Sequence, residues 1–304
     1  MKIGIAGAGA VGCHYGAMLQ RAGQNVVFLS RGRHLSAMRN TGLRHETGGE
    51  MFSMTVLADN NPGILSDAEC VLFTCKMTDL ADMLARLEPI LSRSVLLVTL
   101  QNGVQAPDMV ANAFPQQSVI AGSAFIGVRI EEPGRVVHSA AGHVHLGQWH
   151  ASVYNSQFAA LLQVMKKAGI DVHHDKDMER TLWNKMLWNC GFNAITALTR
   201  RYARDIAADQ ACLELVRAAM QETLNLAVSQ GIAINETNIE KNIQATLETG
   251  LVKTSMWQDI DRGHPTEIGY LNGYVAKQAM EKGIQAPVNT ILSRLIHAAE
   301  GGVM

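Results

Sequence analysis

A glycine-rich turn close to the N-terminus constrains the fold of this chain more than any other sequence feature. Gly7-Ala8-Gly9-Ala10-Val11-Gly12 is a G-x-G-x-x-G run that directly follows the strand-like segment Lys2–Ala6. The range 11–22 is typical of a helix, and Asn25–Leu29 of a second strand. Two strands joined by a helix form a β-α-β unit, which requires a right-handed crossover and a parallel sheet.

Each glycine of this run has a separate task in a nucleotide-binding turn. Gly7 allows the tight turn, Gly9 lets the backbone approach a pyrophosphate, and Gly12 lets the helix pack close to the strand. Ala10 and Val11 open the helix, whose positive end faces the phosphate charge. A purely structural turn is the alternative, but the position inside a β-α-β unit favours dinucleotide binding.

Strand-like and helix-like segments alternate through the first half of the chain. Strands are expected at 70–74, 95–99, 119–124 and 170–173, a hairpin at 134–139 and 143–146, and a helix at 80–91. From about residue 177 the pattern is helical, with periodic segments at 178–197, 208–230, 237–248 and 266–282. Pro265, Thr266 and Glu267 fit the start of the last helix. We therefore predict an α/β protein, with an N-terminal Rossmann-like, doubly wound sheet (1–175) and a C-terminal all-helical domain (176–304).

The charge balance excludes several classes of partner. With 26 basic and 27 acidic side chains, the chain lacks the positive field that nucleic acid or an anionic membrane surface requires. No apolar run approaches the roughly 20 residues needed to cross a bilayer, and glycines interrupt the N-terminal apolar stretch, so no secretion signal is expected. We predict a cytoplasmic protein that binds a small molecule. A homodimer is compatible with this prediction, although the sequence does not fix the oligomeric state.

The cysteines and histidines do not predict disulfide or metal cross-links. No two of the five cysteines form a C-x-x-C pair, so buried reduced thiols are expected. His143 with His145, and His173 with His174, lack a nearby third ligand, so no metal site is expected.

The end of the second strand indicates which dinucleotide is bound. The segment Leu29-Ser30-Arg31-Gly32-Arg33 offers no acid for the ribose 2′-hydroxyl of NAD. Arg31 with Ser30, or Arg33, can instead hold the 2′-phosphate of NADP through charge-assisted hydrogen bonds. Ordinary surface arginines are the alternative. NADP(H) is the favoured cofactor.

A polar row marks the helix that opens the second half. Lys185, Asn189 and Asn193 recur every four residues and therefore project from one helix face. The neighbouring Trp183 and Phe192 are expected to be buried. A lysine beside buried aromatic rings must find partners or lose its proton, so the row predicts a functional site. A solvated helix face is the alternative.

Several motifs at fixed spacings resemble the ketopantoate reductase (2-dehydropantoate 2-reductase) family. They run in order through almost the whole chain: the glycine turn, Lys76, Gln101-Asn102-Gly103, the range 183–189 with Asn193 and 196–198, the range 255–259, and 266–268 with 271–273. Several separate motifs in the right order are far more specific than the glycine turn alone.

The resemblance implies that NADPH reduces the ketone of a branched 2-oxo acid, ketopantoate, to give pantoate in pantothenate biosynthesis. Lys185 resembles the family's catalytic lysine, which polarises the carbonyl and protonates the developing alkoxide. Glu267 resembles the acid that holds the substrate hydroxyl and keeps the lysine charged. The remaining matching positions are Asn189, Asn193 and Ser255 for the substrate, and Lys76 and Asn102 near the nicotinamide ribose.

Three departures from the family pattern keep other functions open. Val252 stands where the family usually has an asparagine and Thr254 where a serine is usual, and Phe125-Ile126-Gly127-Val128 is more apolar than the family's stretch. A site that loses a hydrogen-bonding group can lose its discrimination for a hydroxylated substrate. The alternatives are a reductase of a different 2-oxo acid and, ranked last, a sensor that binds NADP(H) without turnover.

Overall fold

The computed structural model describes residues 1–149 and 156–301. In it, the glycine-rich turn joins β1 (Lys2–Ala6) to α1 (Ala10–Arg21), and β2 (Asn25–Leu29) follows. β1 and β2 pair in parallel, with Ala6 opposite Leu29. Ile5 and Ala6, which point to opposite faces of the sheet, are both fully buried, as expected of a strand covered on both faces. The predicted β-α-β unit is confirmed.

The chain divides into two compact units. The first consists of Met1–Gln101 and Gln105–Met178, and the second of Asn102–Val104 and Glu179–Met304. The short segment Asn102–Val104 therefore belongs with the helical unit, although it lies early in the sequence. The assignment of the first unit to a cofactor and the second to a substrate stays a prediction.

The first unit is built on a ten-stranded sheet. After β1 and β2 its strands are β3 (Leu43–Thr47), β4 (Glu50–Met54), β5 (Leu57–Asp59), β6 (Cys70–Phe73), β7 (Leu96–Thr99), β8 (Ser118–Glu132), β9 (Arg135–Gln148) and β10 (Val172–His174). The order is β4-β3-β9-β8-β7-β6-β1-β2-β5, with β10 beside β9. The pairs β3–β4 and β8–β9 are antiparallel and the other pairs are parallel. The Rossmann-like fold class is confirmed.

Helices cover this sheet and share its core. Those that follow α1 are α2 (Gly32–Thr41), α3 (Met77–Leu87), α4 (Ala106–Ala113) and α5 (Ser156–Lys167), with a 3₁₀ turn at Pro62–Leu65. Tyr15 of α1 and Leu161 of α5 are fully buried in one cluster with Phe28 of β2 and Val144 of β9. In sheets of this kind, ligands bind at the carboxyl ends of the parallel strands.

The predicted hairpin at 134–139 and 143–146 is wrong. Residues 135–139 and 143–146 both belong to the single long strand β9, and its hairpin partner is β8, which extends beyond the predicted range 119–124 to Glu132. The turn itself lies at Gly134, which adopts φ +79°. A bulge at Gly142, opposite the Phe125–Ile126 step, interrupts the pairing of β9 with β8. Gly142 has a positive φ there, and in the sequence a glycine at such a position is typical of a turn.

The second unit is helical. Its helices are α6 (Met178–Thr199), α7 (Ala203–Ala208), α8 (Gln210–Ser229), α9 (Glu236–Glu248), α10 (Ser255–Asp261), α11 (Asn272–Glu281) and α12 (Pro287–Gly301). No strand follows β10 within residues 1–149 and 156–301, which confirms the predicted helical half. No helix in these ranges combines the length and the apolar character that a membrane span requires.

The predicted helix at 266–282 is wrong at its start. A 3₁₀ turn at Ile268–Tyr270 comes first, and α11 begins only at Asn272. Leu271 separates the two with φ −113° and ψ −106°, outside the helical region. Glu267 is therefore not a first-turn acid of an α-helix; it is the residue that precedes the 3₁₀ turn.

Candidate active site

A row of polar side chains lies on the buried helix α6. Lys185, Asn189 and Asn193 are four residues apart, a rise of about 6 Å per step on one helix face. Asn189 and Asn193 are only 3% and 2% exposed, and Trp183 beside the row is buried. The alternative of a solvated helix face is therefore wrong.

Lys185 has an unusually acidic amine for a lysine. Burial lowers the pKa of Lys185 to about 8, and the negative charge of Glu267 opposes this shift by favouring the ammonium form. An amine with this pKa is mostly protonated at pH 7, yet it gives up its proton far more easily than an exposed lysine does. That combination suits a general acid at neutral pH.

Glu267 is fixed by a residue from a distant part of the sequence. Its side chain is 9% exposed, and its Oε2 accepts a hydrogen bond from Asn102 Nδ2 at 3.0 Å. Asn102 was expected near the nicotinamide ribose; the structure places its amide on Glu267, within the helical unit. Sequence reasoning missed this bond because 165 residues separate the partners and no local pattern connects them.

Asn189 and Asn193 leave one donor and one acceptor unused. Asn193 Nδ2 donates to Asn189 Oδ1 at 3.2 Å, while Asn189 Nδ2 and Asn193 Oδ1 are buried without a partner among the described residues. Turning both amides over would exchange the two roles and leave the same pair, one nitrogen and one oxygen. Buried polar groups without partners cost free energy, so the pair suits a ligand that both accepts and donates.

Two threonines connect this row to the segment that carries Ser255. Thr196 Oγ1 donates to Asn193 O at 3.0 Å and lies 2.7 Å from Thr254 Oγ1. Thr254 is the N-cap of α10 and accepts a hydrogen bond from Trp257 N at 3.3 Å. Ser255 itself is exposed at the first position of α10. Thr254, which was noted in the sequence only as a departure from the family pattern, is thus the residue of this segment that contacts the polar row.

The glycine turn of the first unit has the shape that a pyrophosphate needs. Gly7 adopts φ +94°, and a Cβ there would lie 2.5 Å from Cys75 Cβ. A Cβ at Gly12 would lie 2.3 Å from Thr74 Oγ1, whereas a Cβ at Gly9 would meet nothing within 4 Å. Gly9 is also the N-cap of α1, whose first turn, from Ala10 and Val11, carries no acidic side chain. Open space above uncapped N–H groups fits a bound phosphate.

Three further predicted cofactor residues, Ser30, Arg31 and Lys76, lie on the first unit, whereas Asn102 belongs to the helical unit. Ser30 follows β2, and its N–H donates to Asp59 O at 2.9 Å. Arg31 is exposed, and its Nη2 lies 2.9 Å from Asp79 Oδ2. Lys76 is the N-cap of α3, at the carboxyl end of β6. These positions fit a dinucleotide that extends from the glycine turn along the strand ends.

Sequence models of one family match both units. The model described as ketopantoate reductase PanE/ApbA matches residues 3–151, and its C-terminal counterpart matches residues 177–300. A 2-dehydropantoate 2-reductase of Mesorhizobium japonicum is 30% identical, with 96% of this chain and 94% of that protein covered.

Solved structures agree with these matches. A PanE/ApbA family ketopantoate reductase from Ralstonia eutropha JMP134 is 31% identical with a TM-score of 0.91, and 99% of each chain is covered. D-mandelate dehydrogenase, in a ternary structure with NADH and anilino(oxo)acetate, has a TM-score of 0.90 over 99% of each chain. At 23% identity that second likeness concerns the fold alone.

Proposed function

Since the chain belongs to the PanE/ApbA family of ketopantoate reductases, we propose that it reduces 2-dehydropantoate (ketopantoate) to pantoate with NADPH, a step of pantothenate biosynthesis. The family consists of oxidoreductases. Membership of the family does not by itself determine the substrate or the choice of NADPH over NADH. Each of these two parts of the proposal is supported by particular residues described above.

The helical unit supplies the acid of this reaction. The reduced nicotinamide, when bound, supplies the hydride. The Lys185 ammonium polarises the ketone and donates its proton to the oxygen as negative charge develops there. Glu267 favours the charged form of Lys185 before the reaction, and Asn102 keeps the Glu267 carboxylate in place. Lys185 then recovers a proton from solvent.

The unused atoms of Asn189 and Asn193 support ketopantoate as the substrate. A hydroxyl group can accept from the free amide nitrogen and donate to the free amide oxygen at once, whereas a carboxylate can only accept. Ketopantoate carries such a hydroxyl on the carbon chain beyond its ketone. The family resemblance assigns this hydroxyl to Glu267, and we propose Asn189 and Asn193 as its partners instead. This complementarity is the single observation on which the choice of substrate depends.

A matched pair of substrates tests the choice. Ketopantoate and 3,3-dimethyl-2-oxobutanoate differ only in that hydroxyl, so we expect kcat/KM with NADPH to be about 10- to 100-fold higher for ketopantoate, the cost of leaving buried polar groups unpaired. The Asn193→Ala variant should lose most of this difference. Equal kcat/KM for both substrates in the wild-type protein would contradict the proposal.

Reduction of a different 2-oxo acid is the second candidate function. Val252, where the family usually has an asparagine, is half-buried next to the segment of Thr254 and Ser255. A panel of aryl and branched 2-oxo acids separates the two functions, because an apolar substrate would then exceed ketopantoate in kcat/KM.

The cofactor proposal depends on the strand end that carries Ser30 and Arg31. Arg31 can form charge-assisted hydrogen bonds to a 2′-phosphate, and the segment 29–33 contains no acid for an unphosphorylated ribose. We expect NADPH to support a higher kcat/KM than NADH. A cytoplasmic location and a homodimer stay predictions of the sequence.

A further inference from the structure

The arginine that is proposed to select NADPH is already paired with a carboxylate. Arg31 Nη2 lies 2.9 Å from Asp79 Oδ2, and the two side chains are 74% and 39% exposed. Arg31 lies two residues after the end of β2 and is the N-cap of α2, while Asp79 lies in the first turn of α3. Asp79 N donates to Lys76 O at 3.0 Å, so the backbone under the carboxylate is fixed.

The neighbouring charges have other partners or none. Asp59, at the end of β5 opposite Leu29, pairs with Arg39 at 2.6 Å and accepts a hydrogen bond from Asn61 N at 2.9 Å. Arg33 is exposed and forms no ion pair with the residues that the structure describes. Asp79 is therefore the carboxylate placed to compete for Arg31.

We propose that Asp79 is a specificity-determining residue that competes with the 2′-phosphate of NADP(H) for Arg31. The inference rests on the proposed binding of a dinucleotide with its ribose at the end of β2. The Asp79 carboxylate occupies one N–H group of a guanidinium that has five, and its negative charge repels a phosphate that approaches the others. NAD(H) carries no such phosphate and is not penalised. Asp79 thus reduces the preference for NADP(H) over NAD(H).

The test is a binding titration with the Asp79→Asn variant, read by nucleotide fluorescence in the absence of any oxo acid. Exposed ion pairs are weak, so the dissociation constant of NADPH should fall by about two- to fivefold. The dissociation constant of NADH should not change. Asparagine has nearly the same size and shape as aspartate, so the substitution should not disturb the first turn of α3. An unchanged thermal midpoint would show that the variant is folded.

Two further variants separate competition from a general charge effect. Asp82→Asn removes the same charge from the same helix, where Asp82 is 71% exposed and pairs with Arg86 rather than with Arg31. It should leave both dissociation constants unchanged. In an Arg31→Ala background, Asp79→Asn should no longer tighten NADPH, because the arginine for which the two anions compete is gone.

The outcomes distinguish the inference from the proposed function. Weaker NADPH binding by Asp79→Asn would mean that Asp79 orients Arg31 for the phosphate, which overturns the inference. An unchanged NADPH to NADH ratio, or an equal effect of Asp82→Asn, overturns it as well. If the wild-type protein bound neither NADPH nor NADH, the proposal that the chain binds a dinucleotide would be overturned, and the inference with it.

Discussion

At the scale of single residues, the chemistry depends on two opposing effects on one amine. Burial makes the ammonium form of Lys185 unfavourable, and Glu267 makes it favourable, so that the pKa of Lys185 settles at about 8. The residue types and their spacing were predictable from the sequence, because a four-residue period puts Lys185, Asn189 and Asn193 on one face. The bonds of Asn102 to Glu267 and of Thr196 to Thr254 were not, because they join residues that only the tertiary fold brings together.

The pKa of Lys185 predicts how the reduction depends on pH. The acid must be protonated, so kcat/KM should be constant well below pH 8 and fall as pH rises through about 8. Glu267→Gln removes the charge that favours the ammonium, and the fall should then move to lower pH. The profile should be measured with ketopantoate and NADPH for both proteins. A wild-type profile that stays flat to pH 9.5, or a fall that moves upward in the variant, would be inconsistent with this account.

At the scale of elements, two glycines at the junction between β1 and α1 have different roles, one in packing and the other in the proposed binding of phosphate. Gly12 packs against Thr74 and Ile5, where a Cβ would be 2.3 Å and 2.7 Å from side-chain atoms, while Gly9 faces open space. Both glycines are part of one motif in the sequence, and the motif alone does not tell which of them is needed for packing. Likewise, the sequence predicts a turn where β9 has a bulge, and a helix start where a 3₁₀ turn precedes α11. Both predictions are wrong because local composition does not determine how strands pair or how helices pack.

Two alanine substitutions in this turn should affect different properties, one the stability of the fold and the other the binding of NADPH. Gly12→Ala should lower the free energy of unfolding by about 1–3 kcal/mol, the usual cost of an overpacked core. Gly9→Ala should leave stability nearly unchanged but weaken NADPH binding, since its methyl group would occupy the space proposed for the phosphate. Chemical denaturation and NADPH titration of both variants check this. If Gly9→Ala bound NADPH like the wild-type protein, the phosphate would have to lie elsewhere.

A buried histidine pair between α1 and β3 predicts loss of stability in acid. His14 Nδ1 and His45 Nε2 are 2.9 Å apart, and burial, followed by neighbouring positive charges, lowers the pKa of His14 to about 3 and that of His45 to about 4. In the unfolded chain both histidines bind protons near pH 6.5. The unfolded state therefore binds more protons below that pH, so stability should fall between about pH 6.5 and pH 4 and be independent of this pair above pH 7.

The His14→Asn/His45→Gln double variant tests this, because each amide can replace the ring nitrogen that its histidine uses. The thermal midpoint of this variant should decrease less between pH 7 and pH 4.5 than that of the wild-type protein. Identical pH dependence of the two midpoints would assign the acid sensitivity to other groups.

At the scale of the whole molecule, the division into an α/β unit and a helical unit follows from where the strand pattern stops, and this was visible in the sequence. The inclusion of Asn102–Val104 in the helical unit was not, since nothing local distinguishes this segment from the loops of the sheet. Under the proposed function, the first unit would hold the dinucleotide through its glycine turn and Arg31, and the second would hold the substrate and the acid. Loss of the acid should therefore leave nucleotide binding intact.

The most direct test of this account is a comparison of the wild-type protein with Lys185→Met, which keeps the bulk of the side chain and removes the amine. We expect kcat for NADPH oxidation with ketopantoate to fall by about 10²- to 10⁴-fold, the usual contribution of a general acid, while the dissociation constant of NADPH changes by less than about twofold. Wild-type turnover in the variant, or loss of turnover together with loss of NADPH binding, would contradict the role of Lys185 as the acid of the reaction.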